Sequence, residues 1–136
     1  MRFMVMVKAT KESEAGVLPK PEAFTAMQKY NEDLAKAGIL LAAEGLGPTS
    51  MGARVIFSGD ERTVIDGPFA EAKEVVAGFS ILQASSLQEA IEWVKRAPNV
   101  FSPNGEAEVE IRKVSEVEDF GDAFVPNSEI EKVKIK

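Results

Sequence analysis

The chain has 136 residues, of which 45% are hydrophobic and 28% are charged, and these proportions are typical of a single globular domain. Its formal net charge of −6 at pH 7 opposes binding to nucleic-acid phosphates or to anionic membrane surfaces, so we expect neither partner. The sequence contains neither cysteine nor histidine, which excludes disulfides, thiolate nucleophiles and a Ser-His catalytic pair. Acid–base chemistry would therefore use Asp, Glu, Lys or Tyr side chains with shifted pKa values.

The first forty residues predict a strand and a helix. Residues 2–8 alternate between two faces that are both apolar, which predicts a strand, and residues 9–19 are expected to form a polar loop. A helix is expected from Pro21 to Ala37, because proline suits its first turn and Gly38 suits the left-handed position after its end. Its apolar stripe is expected to comprise Phe24, Met27, Tyr30 or Asn31, Leu34 and Ala35.

The middle of the chain predicts four more strands. The segments Ile39–Leu46, Ala53–Phe57 and Arg62–Asp66 are rich in β-forming residues, and the last two are joined by a hairpin-like connection. Proline in the sequence Asp-Gly-Pro-Phe then ends strand pairing. A long strand is expected over Val75–Ala84.

The last part of the chain predicts a second helix and a final strand. Ser86 and Glu89 form the S-x-x-E pattern of a capping box, and Pro98 stops the helix that follows. Residues 107–114 are expected to form a strand. We expect one domain over residues 1–120, followed by a polar C-terminal tail over residues 121–136.

The order of these elements, β-α-β-β-β-β-α-β, predicts an α+β fold with a ferredoxin-like βαββαβ plan and an extra β-hairpin. Two helices can cover only one face of such a sheet, yet several strands are apolar on both faces. A second copy of the chain would cover the other face, so we predict a homodimer packed sheet to sheet. Since no signal-peptide pattern or membrane-length apolar run occurs, a cytoplasmic location is expected.

The run Asp66–Glu74 reads D-G-P-F-A-E-A-K-E. Shorter stretches support it at residues 30–34, 43–46, 52–55, 76–79, 89–93 and 110–112. On these residues the chain resembles the YCII-related family, in the branch marked by the DGPF motif, from about residue 1 to 120.

The resemblance implies a ferredoxin-like fold and a dimeric α/β barrel. A related YCII-type enzyme removes chloride from a hydroxylated aromatic with a His and an Asp, and some members of the DGPF branch occur with extracytoplasmic-function sigma factors. Because this chain has no histidine, that dyad cannot be carried over to it.

Asp66 is the foremost candidate for chemistry. Its carboxylate ends a strand beside a loop constrained by Gly67 and Pro68, and partial burial there would let it act as a general base. Aspartate also commonly fills Asx turns, in which the carboxylate accepts hydrogen bonds from nearby backbone N–H groups. Both interpretations stay open, with the turn favoured.

Four further residues are candidates for substrate binding. Lys73 lies among carboxylates, where it could bind an anion, although such groups are more often solvated ion pairs. Glu44 interrupts an apolar strand, so it lies either at an exposed edge or in a polar cavity, with Arg54 or Lys73 as its partner. Tyr30 could donate its hydroxyl to a ligand, although a partly buried helix flank is the preferred interpretation.

The sequence favours a dimeric small-molecule-binding protein, with enzymatic action on a small organic acid or phenol as an open question. Carboxylate acid/base chemistry with Asp66 as the base would serve such an enzyme. The alternative is a non-enzymatic regulatory or interaction module associated with a transcription or stress-response system. No dinucleotide-binding, Walker A or zinc-ligand spacing is present, so no cofactor or metal is predicted.

Overall fold

The computed structural model of the protein describes residues 1–71, 74–100 and 105–123. Within these ranges the strands are β1 (Arg2–Lys8), β2 (Leu40–Gly45), β3 (Ala53–Ser58), β4 (Glu61–Asp66), β5 (Val76–Gln83) and β6 (Val109–Lys113). The helices are α1 (Lys11–Glu14), α2 (Pro21–Lys36) and α3 (Leu87–Lys95), with 3₁₀ segments at Thr49–Met51 and Val117–Ala123.

The main sheet has the strand order β2-β5-β1-β6, and each neighbouring pair is antiparallel. With α2 following β1 and α3 following β5, this is the order of a ferredoxin-like α+β fold, as the sequence predicted. The strands β3 and β4 pair only with each other and form the extra hairpin between β2 and β5.

The core lies between this sheet and the two long helices. Phe3, Leu34 and Leu82 are the most completely buried large side chains among the described residues. Leu34 from α2 packs with Val5 and Leu82 of the sheet, and Trp93 of α3 joins the same cluster. Both helices therefore cover one face of the sheet, which we call the helix face.

The opposite face of the sheet, which we call the second face, is apolar along its centre. The register of the strands places Ala42, Ile81, Met4 and Arg112 in one row across the sheet and Glu44, Phe79, Met6 and Glu110 in the next. Met4, Met6 and Phe79 are half-buried. The prediction that β1 and β5 are apolar on both sides is confirmed.

The predicted bounds of α2 are confirmed, and the predicted apolar stripe of this helix is wrong at its first residue. Gly38 has a φ of 74° just beyond the helix end, as a left-handed capping position requires. Phe24, however, is 57% exposed. Ten residues separate it from Leu34, the buried residue of this helix, so it points about 80° away from the buried side.

Three short elements were not predicted, and one of them is the 3₁₀ segment Val117–Ala123 after β6. α1 falls in the expected polar loop, where the Oγ1 of Thr10 accepts from Ser13 N–H at 3.1 Å and the Oγ of Ser13 accepts from Thr10 N–H at 2.8 Å. This is a capping box with serine in place of the usual Glu. The 3₁₀ turn Thr49–Met51 falls in the glycine-rich connection after β2.

The predicted capping box of α3 forms only in part. The Oγ of Ser86 accepts from Glu89 N–H at 3.1 Å. The Glu89 carboxylate accepts instead from the hydroxyl of Ser85, at 2.6 Å. None of the helices in the described ranges is long and apolar enough to cross a lipid bilayer.

Tyr30 joins the two helices. Its hydroxyl donates to the backbone carbonyl of Trp93 at 2.7 Å. Burial raises the pKa of Tyr30 above its ordinary value of 10.0, although the positive charge of Arg96 acts to lower it. The unfolded chain therefore loses this proton at a lower pH than the native protein, and the free energy of unfolding falls as the pH rises above about 10.

We expect the ultraviolet absorbance of the phenolate to titrate with a higher midpoint in the native protein than in denaturant. Tyr30 is the sole tyrosine of the chain, so the absorbance change reports this residue. Equal midpoints in the two states would contradict the burial of the hydroxyl against α3.

Candidate functional site

The loop Asp66–Phe69, which we call the DGPF loop, follows β4 and packs against the 3₁₀ turn. The N–H of Gly67 donates to the carbonyl of Gly52 at 2.9 Å. A Cβ atom added to Gly67 would lie 1.7 Å from the carbonyl oxygen of Thr49, which is far inside any allowed contact. The peptide bond between Gly67 and Pro68 is cis. Glycine is therefore required where the loop meets the turn.

Thr49 connects the DGPF loop to α1. Its Oγ1 accepts from the N–H of Phe69 at 3.0 Å and donates in turn to the Oε2 of Glu14. The other carboxylate oxygen of Glu14 accepts from the N–H of Thr49 at 3.0 Å. One carboxylate thus binds both donors of Thr49, and a charged acceptor makes such bonds stronger than neutral ones. Three separate segments are joined at this residue.

A groove of ≈ 400 Å³ lies beside the DGPF loop. Its lining comprises Leu46, Gly47, Pro48, Thr49, Met51, Gly52, Ala53, Phe69 and Val76. The guanidinium of Arg54 lies 3.9 Å from the centre of the Phe69 ring, which is the geometry of a cation–π contact. The groove is therefore largely apolar, with a cation held against one of its aromatic residues.

Asp66 lies at the end of β4, directly across the hairpin from Ala53 of the groove. Its side chain is exposed. Among the described residues, the carboxylate makes no hydrogen bond or ion pair, so the local bonds of an Asx turn are not formed there. The base role of Asp66 stays a hypothesis.

The other predicted site residues are distributed over the molecule. Glu44 projects from the second face at an edge of the sheet, where it is exposed, and Arg54 contacts Phe69 instead of pairing with it. Tyr30 packs on the helix face, with its hydroxyl bonded to Trp93. Since the sheet separates Tyr30 from Glu44, one cleft does not hold both. Lys73 lies outside the described residues.

Glu14 and Thr49 are the residues of this region that sequence patterns missed. They are 35 residues apart in the chain, so no local spacing connects them. The side chains of the described ranges form no cluster of acidic residues suited to a metal ion. A second groove, of ≈ 560 Å³, runs along the outer surface of α2 past Phe24 and Met27.

A family model described as the YCII-related domain matches residues 1–117. An uncharacterised protein of Rhizobium meliloti (strain 1021) is 38% identical over 82 residues, which are 60% of this chain and 63% of that protein, so the match spans under two thirds of the relative's length. Among solved structures, the 5-chloro-2-hydroxyhydroquinone dehydrochlorinase TftG of Burkholderia phenoliruptrix, in complex with 2,5-dihydroxybenzoquinone, shows 16% identity and a TM-score of 0.46. That alignment covers 87% of this chain and 97% of TftG.

We expect Gly67→Ala to lower the free energy of unfolding by about 1–3 kcal/mol or more, because its methyl group would force the DGPF loop away from Thr49. Denaturant unfolding measures the loss. Gly45→Ala is the matched control, because a Cβ there meets nothing within 4 Å and its φ is not positive. Equal losses in the two variants would contradict the contact.

Thr49→Val keeps the shape of the side chain and removes the hydroxyl. We expect a loss of about 1–3 kcal/mol in unfolding free energy, because Phe69 N–H and Glu14 would both lose a partner. Thr25→Val, at an exposed position where the hydroxyl bonds only to the Pro21 carbonyl, is the control. A Thr49→Val variant as stable as this control would show that the relay through Thr49 contributes nothing.

Proposed function

The chain belongs to the YCII-related family, and from this premise we propose that it is a homodimeric small-molecule-binding protein with its ligand site at the DGPF loop. The observation that carries the proposal is the position of Asp66. A carboxylate without a partner among the described residues stands across from Ala53, at the border of an apolar groove. The fixed loop behind it holds the backbone beside this residue in place.

The groove suits a small organic acid or a phenol. Its apolar lining favours burial of a ring or a short carbon chain, and a few polar groups then fix the orientation of such a ligand. Arg54, beside Phe69, supplies a positive charge for a carboxylate or phenolate oxygen. Ring stacking on Phe69 would add to the affinity.

The chemistry of the site would be acid–base catalysis by Asp66. Its carboxylate would accept the proton of a phenolic or acidic ligand bound in the groove, which is the role of a general base. Lys73, four residues after Phe69, keeps its proposed role as an anion-binding residue. Tyr30 keeps its bond to Trp93 and would act on the fold instead of on a ligand.

The second face supports the proposed homodimer. Met4, Met6 and Phe79 form a half-buried apolar strip that helices do not cover, and a second copy would complete a two-sheet barrel around it. We also propose that the chain belongs to the DGPF branch of the family, which the motif at Asp66–Phe69 supports. A cytoplasmic location completes the proposal.

A regulatory or interaction module is the second candidate, and the hairpin β3–β4 favours it. Val55, Phe57 and Val64 lie on one side of the hairpin and are 54%, 69% and 63% exposed. An exposed apolar surface of this kind is typical of a protein-binding element. Association with a transcription or stress-response factor would use this surface.

We expect ligands of the proposed class to raise the melting temperature. The panel is benzoate, salicylate, phenol and catechol, tested with wild type, Asp66→Asn and the control Asp60→Asn at the exposed hairpin turn. A ligand at about 100 times its Kd stabilises the native state by about 2.7 kcal/mol. Wild type and Asp60→Asn should respond, and Asp66→Asn should lose the response.

An Asp66→Asn variant that responds as strongly as wild type would contradict the role of this residue. The absence of any response in wild type would count against the ligand class. A protein partner that wild type retains in stoichiometric amount through the hairpin, and that Phe57→Ser does not retain, would then support the regulatory module.

A further inference from the structure

The charged residues of the second face lie on the two edge strands, apart from Arg2 and Lys8 at the two ends of β1. β2 and β6 are the outer strands in the order β2-β5-β1-β6. The two central strands contribute Met4, Met6, Phe79 and Ile81 to the rows between them. Any second copy stacked on this face therefore meets an apolar centre bordered by two charged edges.

Most charges on this face are already neutralised within the subunit. Lys8 Nζ lies 3.2 Å from the Oε1 of Glu110, and Arg2 Nε lies 2.8 Å from the Oε1 of Glu116. Glu44 on β2 and Arg112 on β6 are exposed, and neither forms an ion pair within the described ranges. Within the strands themselves, β2 is thus left with the negative charge of Glu44 on this face and β6 with the positive charge of Arg112, while the exposed Glu108 lies just before β6.

Two-fold symmetry allows two simple ways to stack the second faces. If the axis runs across the strands, β2 lies over β2 of the partner subunit and the two copies of Glu44 approach each other. If the axis runs along the strands, the edges exchange, and β2 of each subunit lies over β6 of the other. Like charges brought together cost free energy, whereas opposite charges stabilise the contact and select its orientation.

We propose that Glu44 and Arg112 orient the homodimer, with the Glu44 edge of each subunit lying over the Arg112 edge of the partner subunit across the second face. The inference rests on the proposed homodimer and assigns its two-fold axis along the strands. Under this axis the row of Glu44 lies over the row of Glu110, whose charge Lys8 neutralises, and Arg112 lies one row away on the same edge. Glu44, which interrupts the apolar β2, acquires an interface role by this arrangement.

Charge reversal tests the pairing through the dimer dissociation constant, measured by sedimentation equilibrium at low salt. Glu44→Lys and Arg112→Glu should each raise this constant by about tenfold or more, because each places like charges in both symmetric contacts. The double variant Glu44→Lys/Arg112→Glu restores opposite charges and should return towards wild type. Glu32→Lys, on the exposed surface of α2, is the control for charge reversal as such.

The outcomes separate the inference from the proposal beneath it. A monomeric wild type would overturn both the homodimer and its orientation, while ligand binding at the DGPF loop would stand on its own test. A dimeric wild type whose single variants behave like Glu32→Lys would overturn the orientation alone. A double variant whose dimer dissociation constant is raised by as much as the two single effects combined would overturn the pairing. Thermal melts of each variant verify that it is folded.

Discussion

Helices cover this four-stranded sheet on one side only, and most features of the molecule follow from that constraint. α2 and α3 bury Phe3, Val5 and Leu82, and the alternation of β1 leaves Met4 and Met6 on the other side. A sheet that was meant to face water there would carry polar residues at these positions. The apolar second face therefore belongs to the fold itself, and it is the surface on which the proposed homodimer depends.

The DGPF loop combines architecture and exposed chemistry in four residues. Gly67 and Phe69 are held from behind, the first by contact with Thr49 and the second by a bond from its N–H to the Thr49 hydroxyl. Asp66 is presented outward from this support. A rigid backbone behind an accessible carboxylate is the arrangement that a binding site needs, because little ordering remains to be done when a ligand arrives.

Local patterns in the sequence were sufficient for most of the fold. Alternation predicted β1, and proline and glycine placed both ends of α2, because these signals act within a few residues of the backbone. The sequence pattern was wrong for Phe24, because an apolar residue near the stripe of a helix does not show which side of that helix the sheet will cover. The capping of α1 by Thr10 and Ser13 was missed because serine replaced the usual acidic partner.

The candidate site was less accessible to the same reasoning. Asp66 was found from the motif, but Glu14 and Thr49 meet only through the tertiary fold. Arg54 or Lys73 was expected to pair with Glu44, and the contact of Arg54 with the Phe69 ring depends on the path of the DGPF loop. The position of Tyr30 on the opposite side of the sheet from Glu44 required the packing of α2 to be known.

The hairpin β3–β4 is closed at its base. Ala53 pairs with Asp66, and the N–H of Gly67 bonds to the carbonyl of Gly52, so the chain leaves and re-enters the domain at nearly one point. Loops closed in this way tolerate changes of length, because the entropic cost of closing a loop grows slowly with added residues. Insertions or deletions at the tip near Gly59 would leave this closure in place. The hairpin is thus the part of the molecule whose length can differ between homologues that keep the same sheet.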